Sequence, residues 1–383
     1  MVAITYFSLV VSFLICGIIV QHGGVQSHAL AYRHDMPQRF HTDPTSRLGG
    51  LGIAAGAATL WLLSAAAEPT QFSAQLALAW NTSLLWVSVL APMVIVGVAE
   101  DLTHRVPVIY RLVLSLTGAV LAVWLLGLAI DDLGADWLTA YWLLIPWLGK
   151  VLAVLAITGL PHAFNLIDGY NGLAGTVAIM ICLALVHVSL QVGDRQIAGM
   201  LMALVGATGG FLIWNYPKGL IFAGDGGAYL WGGVIAIASI TLVQRYSVVS
   251  PWFPMLLLIY PVWETVFSIY RKMVKGVSPS VADSLHFHQL IYRRIVREVF
   301  HDDEARRMLT RNNRTSPYLW GFTLLTVIPA VLFWRNTVVL MMFCALFMLT
   351  YVVAYFTIVR FKVPRWIRRG LHKHEIGRPG RYR

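Results

Sequence analysis

The chain has 383 residues, of which 58% are hydrophobic and only 12% are charged, and its formal net charge is +11. Soluble globular domains carry about 25% charged residues, so this composition excludes a chain whose whole surface faces water. The solvent that fits it is the hydrocarbon core of a bilayer.

Eleven apolar segments follow one another along the chain, and each is long enough to be a membrane-spanning helix. They cover residues 3–21, 48–66, 80–98, 108–129, 147–163, 173–191, 197–214, 227–243, 252–270, 318–334 and 337–359. The first segment lacks the basic start and the cleavage site of a signal peptide, so we expect it to remain as a helix. The aromatic-rich stretch 131–146 is expected to lie at the membrane interface. The sequence thus predicts an all-α polytopic membrane protein with one integral-membrane domain over residues 1–360.

Lys and Arg residues are concentrated in alternate connections, which orients the predicted helices. With the N-terminus outside and the C-terminus inside, the inner side holds all but four of the 29 Lys and Arg residues, as the positive-inside rule requires. A basic tail, 361–383, is expected to attract anionic lipid headgroups, although a solvated tail without a role is an alternative. We expect membrane lipids, and no nucleic acid, as the partners of this basic excess. The predicted inner loops are 22–47, 99–107, 164–172, 215–226 and 271–317.

The first inner loop combines basic side chains with a pair of glycines. Asp35, His41 and Arg47 precede Gly49 and Gly50. Paired glycines at the start of a helix let backbone N–H groups approach a phosphate. A basic loop with a turn before the helix would explain the same residues.

The second inner loop begins with an acidic pair, Glu100-Asp101, directly after an apolar segment. Topology does not favour acidic residues on a basic face, so this pair needs another reason. Binding Mg²⁺ or acting as a general base is one such reason, and a solvated helix end is the alternative.

Two further loops frame carboxylates and amides with glycines. Asn165 and Asp168 are three residues apart and lie on one helical face, and Asn171 follows within a Gly-rich turn. Asn215 precedes the sequence Gly-Asp225-Gly, in which the glycines leave room for a phosphate or a metal ion beside the carboxylate. Simple interhelical turns are the alternative interpretation, and they would not require these polar side chains together.

The last inner loop carries His286 and His288, followed by several arginines. Two histidines at this spacing are weak evidence for a metal site, and a histidine-rich lid over an anionic substrate is the preferred interpretation. The arginines are typical of amphipathic helices at the interface.

Several carboxylates and basic groups are therefore predicted at one membrane edge. Mg²⁺ is usually bound by few carboxylates together with substrate phosphates, and Mn²⁺ could replace it. The metal ion would bridge a pyrophosphate and neutralise the leaving phosphate. A site at this edge could take one soluble and one lipid substrate.

The order of these motifs resembles a known family. The patterns D-x-P…H…R-x-GG, [DE]-D, N-L-x-D-G-x-[DN]-G-L-A, N…GD-x-G and D…H-x-H occur in order between Asp35 and Gln289. This arrangement resembles the polyprenyl-phosphate N-acetylhexosamine-1-phosphate transferases. The resemblance implies an eleven-helix fold in the bacterial inner membrane with its catalytic loops in the cytoplasm. It also implies transfer of a sugar-1-phosphate from a UDP-sugar to undecaprenyl phosphate, with release of UMP, and it allows a homodimer.

The resemblance also implies roles for individual residues. Asp225 and Asp168 match metal-binding positions. The implied catalytic residues are Asp101, Glu100, Asp168, His286 and His288. The implied substrate-binding residues are Asn165, Asn171, Asn215, Arg47, Asp35 and His41.

Four positions depart from the family pattern. Glu100 stands where Asp is usual, and Asn171 stands where many members have an Asp that is tied to uracil recognition. Ser284 replaces a common Arg, and Gln289 replaces a common His. These departures leave open a non-catalytic, lipid-binding homologue. A secondary transporter is a further alternative, although the sequence contains no internal repeat and no paired half-helices.

We predict that Asp101, Asp168, Asp225 and His286 face the cytoplasm. Cysteine substitutions at Ser46 and Ser284 should be labelled by an impermeant thiol reagent only after the membrane is opened. Labelling of either position from the periplasm of intact cells would reverse the predicted orientation.

Overall fold

The computed structural model describes residues 1–29, 45–66, 80–145, 147–276, 285–296 and 304–359. Within these ranges the secondary structure is helical, apart from one isolated parallel bridge between Ser46 and Ile221. The helices are α1 Val2–Ala29, α2 Gly49–Ala66, α3 Trp80–Thr103, α4 Val108–Leu125, α5 Asp136–Leu143, α6 Trp147–Ile167, α7 Leu173–Gln191, α8 Arg195–Asn215, α9 Gly224–Arg245, α10 Trp252–Leu257, α11 Ile259–Val274, α12 Phe287–Arg294, α13 Glu304–Leu332 and α14 Thr337–Val359.

The prediction of an all-α polytopic membrane protein is confirmed. Nine helices within the described residues are long and apolar enough to cross a membrane: α1, α3, α4, α6, α7, α8, α9, α13 and α14. Helix α2 is apolar but shorter, with its apolar part at Gly49–Leu63. Ten of the eleven predicted segments thus each correspond to one helix, although the helices differ in length.

One predicted segment, 252–270, consists of two helices rather than one. Helix α10 ends at Leu257 and α11 begins at Ile259. The physical reason is Pro261, which has no N–H to donate to the carbonyl of Leu257 and whose ring crowds that carbonyl. The apolar composition of this segment concealed the break.

Helix α13 begins well before the predicted segment at 318–334. Its first turns are polar and include the sequence Arg311-Asn-Asn-Arg314, so an apolar run could not reveal them. This polar half contacts the turn at 168–172 and thereby belongs to the candidate site.

Helix α9 is the centre of the bundle and is buried along nearly its whole length. It packs against α2, α3, α6, α7 and α8. Two glycines allow its first turn to approach the neighbouring backbones. A Cβ atom at Gly50 would lie 2.3 Å from the Gly227 nitrogen, and one at Gly97 would lie 2.6 Å from the Gly226 nitrogen. These contacts hold the N-terminus of α9 against α2 and α3.

We expect Gly97→Ala to destabilise the protein, because its methyl group would displace the backbone of α9. The cost should be about 1–3 kcal/mol, as for overpacked cores. Gly159→Ala is the matched control, since Gly159 also lies inside a helix but has open space around it. Thermal unfolding of both variants in detergent measures the difference, and equal melting temperatures would contradict the close packing.

Candidate functional site

Two arginines hold the carboxylate of Asp225 at the N-terminus of α9. Arg47 Nη2 donates to Asp225 Oδ1 at 3.1 Å, and Arg111 Nη1 donates to Asp225 Oδ2 at 2.7 Å. Arg47 precedes α2, and Arg111 lies in the first turn of α4. The Asp225 side chain is only 3% exposed, whereas the two arginine side chains are about one quarter exposed, at 26% and 22%. The arginines therefore connect a buried carboxylate to the surface of the site.

Asp101 caps the same helix end. Its Oδ1 accepts the backbone N–H of Asp225, and its Oδ2 accepts that of Gly226, both at 2.9 Å. A negative charge at a helix N-terminus is favourable because the N–H groups there have no intrahelical acceptor. Arg47 Nε lies 3.6 Å from Asp101 Oδ1 and compensates this charge further.

Gly224 makes this approach of Asp101 to α9 possible. Its φ is +68°, in the left-handed region that favours glycine. A Cβ atom there would lie 2.4 Å from both carboxylate oxygens of Asp101. Gly224, which precedes the predicted metal-binding Asp225, thus leaves the space that α3 and α9 need to contact each other.

Glu100 has a different position from its neighbour. Its Oε2 accepts the backbone N–H of Val106 at 2.8 Å and so closes the turn after α3. It makes no hydrogen bond to the Asp225 cluster within the part of the chain that the structure describes. The two acidic residues, which the sequence analysis treated as one unit, therefore have separate roles. Glu100 closes a turn, whereas Asp101 belongs to the site.

Asp168 lies directly after α6, and its carboxylate has no hydrogen-bond donor among the described residues. Its pKa is raised to about 7, because burial disfavours the charged form, while the nearby Arg47 charge opposes this effect and the Asp225 charge adds to it. Asp168 lies at the end of the bundle where α9 begins, and the charges of Arg47 and Asp225 act on it. A carboxylate in this situation would gain from a bound cation.

Tyr229 links further side chains to the cluster. Its hydroxyl donates to Asp225 Oδ2 at 3.4 Å, and the side chain of Asn165 lies near that hydroxyl. The ring of His162 lies 5.0 Å from that of Tyr229, and His162 Nε2 is buried without a partner within the described residues. Asn165 was predicted to bind substrate. The structure places its side chain beside Tyr229, and its contact with a substrate stays a prediction.

Asn215 joins the turn at 168–172 to the segment before α9. Its Oδ1 accepts the backbone N–H of Gly172 at 2.6 Å, and its Nδ2 donates to the carbonyl of Ile221 at 2.7 Å. Both ends of this amide are thus bound to backbone. The structure gives Asn215 a role in holding two loops together, and its contact with a nucleotide stays a prediction.

Asn171 is likewise buried, against the polar half of α13. Its backbone N–H donates to Asn312 Oδ1 at 2.8 Å, and its Nδ2 donates to Asn313 Oδ1 at 3.2 Å. The hydroxyl of Ser316 donates to its carbonyl at 2.6 Å. Its own Oδ1 is buried without a partner among the described residues. Recognition of uracil by Asn171 stays a prediction, and a ligand would have to reach that one free acceptor.

The histidine motif is anchored by Glu264, a residue of α11 that the sequence did not single out. Glu264 Oε1 lies 3.2 Å from His286 Nδ1 and accepts the backbone N–H of Phe287 at 3.0 Å. The hydroxyl of Tyr351 donates to Glu264 Oε2 at 2.7 Å. A carboxylate inside a segment predicted as purely apolar was the signal that could have identified it.

His288 brings the histidine motif to the turn at Asp168. Its ring stacks on that of His286 with centroids 5.4 Å apart and lies edge to face with Tyr170 at 5.6 Å. A Cβ atom at Gly169 would lie 3.1 Å from His288 Nε2. Burial lowers the pKa of His288 to about 3, so its imidazole is neutral at pH 7.

Of the two departures from the family pattern in the last inner loop, Gln289 and Ser284, the structure describes only Gln289. Gln289 Oε1 accepts the His286 backbone N–H at 3.4 Å and completes a capping box at the start of α12. Asp35, His41 and Ser284 lie outside the described residues, as does the basic tail 361–383.

The described carboxylates suit a magnesium ion that shares its coordination with a substrate. Among the described residues, no three His, Cys, Asp or Glu side chains form a metal cage. Mg²⁺ does not need one, because it is typically held by one or two carboxylates and by phosphate oxygens. Asp168, which has no donor of its own among the described residues, fits that arrangement. Asp225 would fit it once one of its two arginine partners had moved away.

Comparison with known proteins supports the resemblance seen in the motifs. The sequence model of glycosyl transferase family 4 matches residues 83–243, which include Asp101, Asp168 and Asp225. A probable undecaprenyl-phosphate N-acetylglucosaminyl 1-phosphate transferase of Bacillus subtilis (strain 168) is 28% identical over 253 residues, 66% of this chain and 66% of that protein.

Two further relatives are similar over shorter stretches. The undecaprenyl-phosphate alpha-N-acetylglucosaminyl 1-phosphate transferase of Thermotoga maritima is 28% identical over 207 residues, 53% of this chain and 60% of that protein. A phospho-N-acetylmuramoyl-pentapeptide-transferase of Moorella thermoacetica is 32% identical over 105 residues, 27% of this chain and 32% of that protein. The chain thus spans about two thirds or less of the length of these relatives. The matched region and its relatives bear out the resemblance that the motifs predicted: residues 83–243 are similar to glycosyl transferase family 4, and the chain is similar to polyprenyl-phosphate sugar-1-phosphate transferases.

Proposed function

We propose that the protein transfers a sugar-1-phosphate, of the N-acetylhexosamine class, from a UDP-sugar to a polyprenyl phosphate such as undecaprenyl phosphate. UMP would be released, and a polyprenyl-diphosphate-sugar would begin a cell-envelope glycan. The observation that carries this proposal is the cluster of Asp225, Asp101, Arg47 and Arg111 at one end of apolar helices. The relatives that are named polyprenyl-phosphate sugar phosphotransferases support the same substrate class.

The placement of the cluster suits one soluble and one lipid substrate. It lies where α3 ends and where α4 and α9 begin, so it belongs to one end of the apolar bundle. A lipid phosphate at headgroup level could reach this edge while its prenyl chain stays in the bilayer. The basic loops support the cytoplasmic face of the inner membrane as this edge, which is where a nucleotide sugar would arrive.

The arginines are the groups suited to bind the phosphates. Guanidinium groups form paired hydrogen bonds with phosphate oxygens and keep their charge at any physiological pH. In the proposed reaction, an oxygen of the lipid phosphate attacks the sugar-bearing phosphorus of the donor. The bond between that phosphorus and the bridging oxygen breaks, and UMP leaves with the oxygen. Arg47 and Arg111 would stabilise the charge on these oxygens.

The carboxylates have two different tasks in this proposal. Asp101 holds the N-terminus of α9 in place, since both of its oxygens accept backbone N–H groups of that helix. Asp168 and Asp225 would hold Mg²⁺, or Mn²⁺ in its place, which when bound neutralises the charge of the donor pyrophosphate. His286 and His288 lie beside the Asp168 turn and would contact the donor from the other side.

A non-catalytic, lipid-binding homologue is the second candidate. It is favoured by one observation: protein groups already occupy both oxygens of Asp101 and both oxygens of Asp225. Purified protein incubated with Mg²⁺, undecaprenyl phosphate and a panel of UDP-sugars separates the two functions. Release of UMP that depends on the lipid supports the transferase, and its absence with every donor supports the binding protein.

We expect Asp225→Asn to lower UMP release at least about 100-fold, because the amide keeps the shape but loses the charge that faces the metal ion and the arginines. Asp194→Asn is the matched control, since Asp194 is also buried and ion-paired, with Arg245 at 3.0 Å, at the opposite end of α9. The control should keep its activity per folded molecule. Similar activity in Asp225→Asn and in the control would refute the assigned role of Asp225.

We expect Ser284→Arg, which restores the common family residue, to change the ranking of UDP-sugars. Only groups that touch the variable part of the donor can discriminate between donors. The part of loop 271–317 that carries Ser284, His286 and His288 is expected to face the sugar or its phosphate. The affinity for UMP should hardly change. Gln289→His is less informative, because Gln289 caps α12. An unchanged ranking with uniformly lower activity would leave the loop as a membrane anchor only.

A further inference from the structure

Arg111 occupies the place on Asp225 that a divalent cation would need. Arg111 Nη1 binds Asp225 Oδ2 at 2.7 Å, and Arg47 Nη2 binds Oδ1 at 3.1 Å. Both oxygens of the carboxylate therefore already have a cationic partner. A doubly charged ion in contact with Asp225 would lie a few ångströms from two guanidinium groups and would be repelled by both.

The two arginines differ in how firmly they are attached. Arg47 lies between two carboxylates, since its Nε is also 3.6 Å from Asp101 Oδ1. Arg111 hydrogen-bonds Asp225 alone among the described residues, and its Nε is buried without an acceptor there. Arg111 thus has one carboxylate contact to give up where Arg47 has two, and it retains a donor that an anionic ligand could satisfy.

We infer that Arg111 is an exchangeable partner of Asp225 that couples the binding of metal and phosphate. When a nucleotide phosphate bound, the guanidinium of Arg111 would move to its oxygens, and Asp225 would be free to hold a divalent cation with the oxygen that Arg111 leaves. This inference rests on the proposed function, because it requires the metal ion at Asp225. It adds that the ligand-free protein binds the metal weakly and that each ligand favours the other.

Thermodynamic linkage makes the coupling measurable without turnover. The factor by which a phosphate ligand raises metal affinity must equal the factor by which the metal raises affinity for that ligand. Mn²⁺ serves as the metal probe and UMP as the phosphate probe, with the full-length protein in detergent. Isothermal titration gives the Mn²⁺ affinity with and without saturating UMP.

For the wild-type protein, UMP should raise the Mn²⁺ affinity about tenfold or more. In Arg111→Gln, the Mn²⁺ affinity without UMP should already be about tenfold higher than in the wild type, because one repelling charge is gone. The effect of UMP on Mn²⁺ binding should then be small. Arg105→Gln is the matched control, as it removes the same charge from an exposed residue of the neighbouring turn, and it should behave like the wild type.

Two further variants secure the interpretation. Adding Asp225→Asn to Arg111→Gln should abolish the gained Mn²⁺ affinity, which assigns that gain to Asp225. Arg111→Lys, which keeps the charge, should retain weak Mn²⁺ binding and checks that loss of the fold is not the cause.

The exchange is overturned if Arg111→Gln binds Mn²⁺ no more tightly than Arg105→Gln, or if no variant binds Mn²⁺ with or without UMP. Failure of the proposed function has a different signature. The wild type would then release no UMP from any UDP-sugar, whatever the Mn²⁺ titrations give.

Discussion

The capping of α9 by Asp101 is the contact on which the rest of the site depends. Two backbone N–H groups at the start of α9 point into one carboxylate of α3, and Gly224 leaves the space for it. Gly50 and Gly97 let the neighbouring helices come close enough to hold that helix end. As a result, Asp225 has one defined position, and arginines from two other parts of the chain can converge on it.

The same constraint explains why the site combines rigid and open groups. Three buried residues form most of their hydrogen bonds with other parts of the protein and so fix the loops around the cluster. They are Asn215, Asn171 and Glu264. Asp168 has no donor among the described residues, and Arg111 keeps a buried N–H without an acceptor. A charged ligand would therefore find its partners on Asp168 and the arginines, within walls that the amides and Glu264 hold in place.

Much of this arrangement could be predicted from the sequence, because composition and glycine-framed motifs are local properties. The apolar segments identified the membrane class, and Asp101, Asp168 and Asp225 do lie at one end of the bundle.

Arg111 was missed because it lies inside a predicted span, 114 positions away in sequence from the carboxylate that it binds. The polar half of α13 was missed because a search for apolar runs excludes it, and Pro261 was not used to divide the segment that it breaks.

In the proposed transfer, the bond that breaks lies between the two phosphates of the donor. The most direct measurement uses a UDP-sugar with a radioactive label on the phosphate that carries the sugar, together with undecaprenyl phosphate and the purified protein. We expect the label to move into the organic-soluble lipid while unlabelled UMP appears in equal amount. Label that stays in the aqueous nucleotide, as UDP or as unchanged donor, would contradict it.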